Sequence, residues 1–173
     1  MNKIFKFSLT FFLISISFAA NANIEPPFKN IIVSNNPIEY PDIFFKDFNG
    51  NIVNLNEEKS QFYFLNFWAT WCLPCKEEMP HLDKIQNTNG IKVFPINVEK
   101  NKQIKTEIFF KNLNIKNLSI YFDIDTNLVN LFRLRGLPTT IILNKDHNEI
   151  ARIVGAVNFL DEEFINWINN ISN

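Results

Sequence analysis

The sequence predicts an α/β domain built on a mixed central sheet that helices cover. An Asn-Gly pair separates two short apolar segments, which indicates a β-hairpin near the start of the domain. A strand–helix–strand pattern surrounds the only two cysteines, and two further strands and a terminal helix follow later in the chain. With 173 residues, the chain has the length of one domain with a substantial core.

The first half of the domain contains the hairpin and the strand–helix–strand unit. The hairpin strands are predicted at 43–48 and 51–55, on either side of Asn49-Gly50. An almost unbroken apolar run predicts a buried strand at 61–67, and a second such strand follows at 91–98. The helix between them is predicted at 76–87, because Met79, Leu82 and Ile85 share one of its faces.

The second half alternates helices and strands and ends in a helix. In chain order the predicted elements are a helix at 101–113, a strand at 118–122, a helix at 126–134, strands at 139–143 and 149–154, and a helix at 159–171. The first of these helices is expected to bury a face made of Ile104, Ile108, Phe109 and Leu113, which recur at helical spacing.

Composition excludes several classes of protein. The chain carries 17 Lys and Arg residues against 18 Asp and Glu residues, so it offers no electrostatic footprint for nucleic acid. An apolar fraction of 46% is too high for a disordered chain. With two cysteines and two histidines, neither a disulfide-dense scaffold nor a closed structural zinc site is expected.

Residues 1–22 have the features of a secretory signal. Lys3 and Lys6 precede an uncharged run at 7–20, and Ala20-Asn21-Ala22 gives the small-x-small pattern of a cleavage site. The run is shorter than the ~20 residues of a membrane-spanning helix. We predict that this segment is cleaved or remains as an N-terminal anchor, and in both cases the domain is exported and periplasmic.

The segment after the signal is rich in Asn and Pro and shows no periodicity. We interpret residues 23–37 as an ordered-to-frayed lead-in segment and residues 38–173 as the folded domain.

Cys72 and Cys75 lie where a buried strand meets a helix. The N-terminus of a helix offers unpaired N–H groups and a positive dipole end, and both stabilise a thiolate. We therefore predict that Cys72 is the solvent-accessible nucleophile and that Cys75, one turn deeper, resolves the mixed disulfide. Pro74 fits the first helical turn, where its missing N–H costs nothing, and Pro80 predicts a kink.

Two other interpretations of the cysteines remain open at this point. An exported compartment permits a purely structural disulfide, but a loop of four residues recovers only about 2 kcal/mol of chain entropy. Metal binding by the two thiolates is the other possibility.

Two segments carry a family resemblance. The segment FWATWCLPCKEEMP at 67–80 resembles the active-site segment of the TlpA/ResA/CcmG (DsbE)-like family of exported thioredoxin-fold thiol–disulfide oxidoreductases. The segment GLPTT at 136–140 is similar to the cis-proline loop of that family. The resemblance covers roughly residues 38–170.

The resemblance implies a thioredoxin fold with an N-terminal β-hairpin and an inserted helix and strand between its βαβ and ββα halves. It implies that Pro138 is cis and packs against the two sulfurs, and that the backbone of Leu137 offers an edge to a client peptide. Plain thioredoxin has a buried aspartate where this chain has Asn66. In this family a glutamate three residues after the second cysteine moves the proton of the buried thiol, and that residue is Glu78 here.

For the other candidate residues, the sequence gives weaker evidence of a chemical role. Trp68 is predicted to lie in the core, and Trp71 to form part of the substrate platform. His81 and His147 are interpreted as structural or solvated residues. Arg133 and Arg135 precede the Pro138 loop, where they either lower a thiolate pKa or form a solvated helix end.

The resulting hypothesis is an exported reductant of client-protein disulfides. The family suggests apocytochrome c or the copper-site proteins of respiratory oxidases as clients, and a membrane-embedded thiol carrier as the electron donor. No cofactor or metal is required, because the dithiol is the redox group. The alternatives are a copper-binding chaperone module, a disulfide-donating oxidase of the same fold, and a one-cysteine peroxidase.

Overall fold

The computed structural model describes residues 25–100 and 102–171, so the predicted signal at 1–22 lies outside the described residues. In chain order the elements are β1 (Ile31–Ile38), β2 (Phe44–Asp47), β3 (Ile52–Asn54), a 3₁₀ turn (Leu55–Glu57), β4 (Phe62–Trp68), α1 (Leu73–Ile85), β5 (Ile91–Asn97), α2 (Gln103–Asn112), β6 (Tyr121–Phe122), α3 (Asn127–Leu131), β7 (Thr139–Asn144), β8 (Glu149–Val154) and α4 (Glu162–Asn170). Within these described ranges, no helix has the length and apolar character needed to cross a membrane.

The strands form one mixed sheet in the order β1-β8-β7-β4-β5-β6-β2-β3. The central strand β4 is parallel to β5 and antiparallel to β7. The predicted hairpin is confirmed as β2 and β3, which pair antiparallel. The predicted insertion is confirmed as α2 and β6, and β6 joins the hairpin to β5.

Strand β4 is buried along its whole length because both faces of the sheet are covered. Its alternate side chains enter two separate cores. Phe64 and Trp68 lie in one core with residues of α1, α2 and α4, whereas Leu65 and Phe67 lie in the other with the hairpin and α3. This double burial explains why β4 appears in the sequence as a continuous apolar run rather than an alternating one.

Strand β1 lies mostly within residues 23–37, the predicted lead-in segment, and is the part of that segment that joins the sheet. It pairs antiparallel with β8, with Ile31 opposite Ile153 and a register shift between Val33 and Ile38. Ile31 is the one buried residue of the strand, which lies at the edge of the sheet. A strand that buries so little has no apolar alternation by which the sequence could reveal it.

The predicted face of helix α2 is correct for Phe109 and Leu113, which pack against the core, and wrong for the two isoleucines. Ile104 and Ile108 are 74% and 52% exposed, and Thr106 and Phe110 face the protein instead. The hydroxyl of Thr106 accepts a hydrogen bond from the Asn97 side chain at 3.3 Å, which fixes the helix in this rotation. The polar contact and the packing of Phe109 and Phe110 on Trp68 together turn Ile104 and Ile108 outward.

Helix α3 is shorter than the predicted helix at 126–134. Thr126 before it and Arg133 after it have φ values of 67° and 50°. These left-handed conformations cannot continue a right-handed helix, so the helix is confined to the residues between them.

Asp83 fastens the inserted segment to helix α1. Its Oδ1 accepts the backbone N–H groups of Lys116, Asn117 and Leu118 at 3.0, 2.6 and 3.1 Å. The side-chain amide of Asn117 also donates to Asp83. One buried carboxylate thus holds the segment before β6 against the helix that carries Cys75.

Replacing Asp83 with alanine is expected to lower the free energy of unfolding by about 2 kcal/mol, because several donors lose their charged acceptor. Urea unfolding measures this loss. Asp83→Asn keeps one acceptor oxygen and is expected to lose less, whereas Asp146→Ala removes only an exposed pair with Lys145 and should stay within about 0.5 kcal/mol of the parent. Equal losses for the alanine and asparagine variants at position 83 would contradict this explanation.

Candidate active site

Cys72 and Cys75 form a disulfide at the N-terminus of helix α1. Cys72 is the N-cap residue, and its Sγ accepts the backbone N–H of Cys75 at 3.3 Å. Pro74 occupies the first turn, as predicted, and the helix continues through Pro80 to Ile85. The strand–helix junction therefore places one sulfur directly on the unpaired N–H groups of the helix.

The burial of the two sulfurs differs from the prediction for Cys72. Cys75 has no exposed surface, as expected for the deeper residue, but Cys72 is only 5% exposed. In this disulfide form its side chain turns inward to meet Cys75 and the helix end. The neighbours on either side of Cys72 are open to solvent instead, since Trp71 and Leu73 are 72% and 67% exposed.

Glu78 lies one helical turn after Cys75 and is 1% exposed. Its Oε1 accepts a hydrogen bond from the Asn66 side chain at 2.8 Å, and Oε2 is buried without a hydrogen-bond partner in the described structure. Burial raises the pKa of Glu78 to about 8, although the hydrogen bond from Asn66 and the nearby Val157 N–H oppose this shift. Such a carboxyl can hold and release a proton near neutral pH.

Asn66 links Glu78 to the neighbouring strand. Its amide also donates to the hydroxyl of Thr140 at 2.9 Å, and the two residues stand opposite each other in the β4–β7 ladder. The amide of Asn66 cannot itself exchange a proton, so Glu78 is the titratable member of this buried group. Sequence reasoning missed Thr140, since its contribution depends on strand register.

The loop that carries Trp71 is held by a second residue that sequence reasoning missed. The carboxylate of Glu99 accepts the backbone N–H of Thr70 at 2.5 Å, and the Glu99 N–H donates to the side chain of Asn97 at 2.7 Å. Glu99 lies two residues after the end of β5, and this end lies beside the end of β4 because the two strands are parallel. That placement is the signal by which the residue could have been found.

The Leu137–Pro138 peptide bond is cis, as predicted. Leu137 is half-buried and Pro138 is buried. Sheet pairing of β7 with β4 and β8 begins at the next residue, Thr139.

The remaining candidates lie elsewhere or stay at the surface. Trp68 is fully buried, which confirms its assignment to the core. His147 stacks on Tyr63 with ring centroids 4.7 Å apart, in the turn at the far end of β7. Arg133 and Arg135 are exposed and line a surface pocket with Thr139. Across 25–100 and 102–171, no group of three or more His, Cys, Asp or Glu side chains could hold a metal ion.

A disulfide that caps a helix directly after the central strand, with a cis-proline loop before a neighbouring strand, defines a thiol–disulfide oxidoreductase of the thioredoxin class. The family model of the thioredoxin-like domain matches residues 40–172, and the chain belongs to this family.

The curated relatives are more specific. The chain is 30% identical to the thiol-disulfide oxidoreductase ResA of Halalkalibacterium halodurans over 128 residues, which cover 71% of each protein. It is also 30% identical to ResA of Bacillus subtilis over 120 residues, which cover 68% of this chain and 66% of that protein. The chain is thus a ResA-like member of the family.

The fold is also found among solved structures. A thiol:disulfide interchange protein of the thioredoxin family from Chlorobium tepidum superposes with a TM-score of 0.65 at 21% identity, and the match covers 81% of this chain and 99% of that one. At this identity the likeness shows the fold.

Proposed function

We propose that this chain is an exported reductant that transfers two electrons to disulfides of client proteins. The observation that carries the proposal is the placement of Glu78, which lies buried one turn after Cys75 on the helix that Cys72 caps. The site therefore combines a helix-capping sulfur with a proton-accepting group for the deeper thiol. In the proposed cycle the Cys72 thiolate attacks the client disulfide, and Cys75 then resolves the mixed disulfide.

The residues between the cysteines favour the reducing direction. Strong disulfide oxidants stabilise their reduced form, which a cationic neighbour of the thiolate achieves. Leu73 and Pro74 carry no charge and no side-chain donor. The hydrogen bond to Cys72 Sγ comes from the backbone of Cys75, so the helix end is the main stabiliser of the thiolate.

Trp71, Leu137 and Pro138 are proposed to contact the client. Trp71 presents a large apolar ring to solvent directly before Cys72. Since sheet pairing begins at Thr139, the backbone of Leu137 can pair with an extended client segment in the manner of strand addition. A client disulfide held in this way would lie over the helix end.

The proposed setting follows from the family and from the signal-like segment. We infer that residues 1–22 direct the domain to the periplasm, as a cleaved signal or an anchor. The proposed clients are apocytochrome c or copper-site proteins of respiratory oxidases, and a membrane-embedded thiol carrier is proposed to reduce the domain again.

The direction of electron flow is tested by the reduction potential, measured against a glutathione series with thiol trapping. We expect a value near that of thioredoxin, about −270 mV, whereas a value near that of DsbA, about −120 mV, would make the protein a disulfide donor.

A variant of the dipeptide between the cysteines extends this test. Pro74→His is expected to raise the potential, by roughly 30 mV for each 1.4 kcal/mol of thiolate stabilisation that the imidazolium supplies. Lys76→Gln, at an exposed position just after Cys75, is the matched control for a change of surface charge. A potential that does not respond to Pro74→His would contradict the role given to this dipeptide.

A further inference from the structure

His81 and Glu78 open onto the same small pocket. The pocket has a volume of about 190 Å³, and its walls are Glu77, Glu78 and His81 on α1 and the segment 156–158 after β8. Oε2 of Glu78 and Nδ1 of His81 are both buried, and neither has a hydrogen-bond partner in the described structure. A buried polar atom without a partner is costly, so two such atoms on residues that line one pocket favour a bridge or an exchanged proton between the two side chains.

Helix geometry orders the residues from the core to the surface. Cys75, Glu78 and His81 follow one another at intervals of three, and each step turns about 60° around the helix while neighbouring side chains stay within reach. Burial follows the same order, because Cys75 and Glu78 are buried and His81 is half-buried. This series leads from the deeper sulfur through Glu78 to the edge of the protein.

The other charged side chains beside Cys75, Glu78 and His81 are exposed to solvent. Glu77 is the other titratable residue on the pocket, and it is exposed. The facing segment contributes Ala156, Val157 and Asn158, none of which titrates, although the backbone N–H of Val157 lies near enough to the Glu78 carboxyl to oppose the rise of its pKa. Lys84, three residues after His81, is exposed as well.

We propose that His81 relays the proton of the Cys75 thiol between Glu78 and solvent. An imidazole suits this task because one ring nitrogen accepts while the other donates. The inference rests on the role of Glu78 in the proposed function. Since His81 reaches the sulfurs only through Glu78, it is a positioning residue for this proton and not a catalytic one.

The resolving step then balances as follows. Cys75 gives its proton to the Glu78 carboxylate, and the Cys75 thiolate attacks Cys72 of the mixed disulfide. The Cys72–Cys75 disulfide forms, and the client sulfur leaves as a thiolate that takes a proton from water. The Glu78 carboxyl passes its proton to Nδ1 of His81, and His81 releases one from its other nitrogen to water. Two electrons pass from the dithiol to the client, and no other reactant is needed.

The test follows the resolving step in the full chain. The reduced protein is mixed with oxidised glutathione, quenched in acid, and the decay of the mixed disulfide is measured by mass between pH 6 and 9. His81→Gln is expected to slow this decay about tenfold and to change its pH profile, whereas the equilibrium potential stays that of the parent. Added imidazole is expected to restore the rate of His81→Ala. His147→Gln changes the other histidine of the chain and serves as the control.

Several outcomes would overturn the relay. A His81→Gln rate and pH profile equal to those of the parent would do so, as would a loss that imidazole does not restore. A second measurement does not depend on the folding of a position-81 variant, since the ring of His81 can be titrated by NMR in the reduced parent and in Glu78→Gln. The relay requires the two midpoints to differ, and equal midpoints reject it.

If the proposed function itself is wrong, these measurements give results different from those expected when only the relay is wrong. If no mixed disulfide forms with glutathione, the oxidoreductase cycle fails, and the NMR titration still decides whether Glu78 and His81 share a proton. If Glu78→Gln leaves the resolving step unchanged, the role of Glu78 fails and the relay falls with it.

Discussion

Cys75→Ser is expected to leave Cys72 covalently bound to its client, because the nucleophile still attacks and no second thiol releases the product. Cys72→Ser is expected to lower the rate of disulfide reduction roughly 10³-fold or more, as the loss of a covalent nucleophile does. Non-reducing gels of a periplasmic extract measure the trapped species, and mass spectrometry of the captured band identifies the client.

The double variant Cys72→Ser/Cys75→Ser is the matched control for this experiment, since it keeps the surface and removes both thiols. Trapping by Cys72→Ser alone, with none by Cys75→Ser, would reverse the roles assigned to the two residues. Captured proteins without any cysteine pair would contradict the class of client proposed above.

Glu78→Gln is expected to slow the resolving step by roughly 100-fold near and above pH 8, where the Glu78 carboxyl of the parent is ionised and can accept the proton of Cys75, which the amide cannot do. The variant keeps the volume of the side chain and the oxygen that accepts from Asn66. Glu77→Gln is a matched control, since this neighbour is exposed on the same helix. The pH dependence of the decay of the mixed disulfide is the decisive readout, and a profile shared by all three proteins would reject the role of Glu78.

The same substitution has a second consequence for stability. With a pKa of about 8 in the folded protein and an ordinary value of 4.5, Glu78 keeps its proton in the native state while the unfolded chain releases it. Between these two values the native state binds more protons, so the free energy of unfolding contributed by this group falls as pH rises, by up to about 1.4 kcal/mol per pH unit. Glu78→Gln removes this slope, which urea unfolding between pH 5 and 8 would reveal as a gain in relative stability.

The sequence predicts the position of the active site because the pattern there is local. The buried run of β4, the Cys-x-x-Cys pair and the first turn with Pro74 are contiguous, and each follows from rules about neighbouring residues. Glu78 could also be placed from its spacing to Cys75 on one helix. The cis bond before Pro138 was expected from the family resemblance alone.

The features that the sequence does not predict depend on contacts between distant segments. Thr140 meets Asn66 through the register of β4 and β7, and Asp83 meets residues 116–118 through the packing of the insertion. Helix α2 turns Ile104 and Ile108 outward because Thr106 contacts Asn97 and because Phe109 and Phe110 pack on Trp68. The shared pocket of His81 and Glu78 likewise depends on a distant segment, because residues 156–158 form its other wall.

The fluorescence of the exposed Trp71 side chain reports the redox state of this protein. The other two tryptophans of the chain, Trp68 and Trp167, are almost fully buried. The solvent-exposed indole is therefore that of Trp71, next to the disulfide. A disulfide quenches an adjacent indole by accepting an electron from its excited state, and reduction removes this quenching. Long-wavelength emission that iodide can suppress therefore belongs to Trp71, and its intensity follows the Cys72–Cys75 bond in real time without a label.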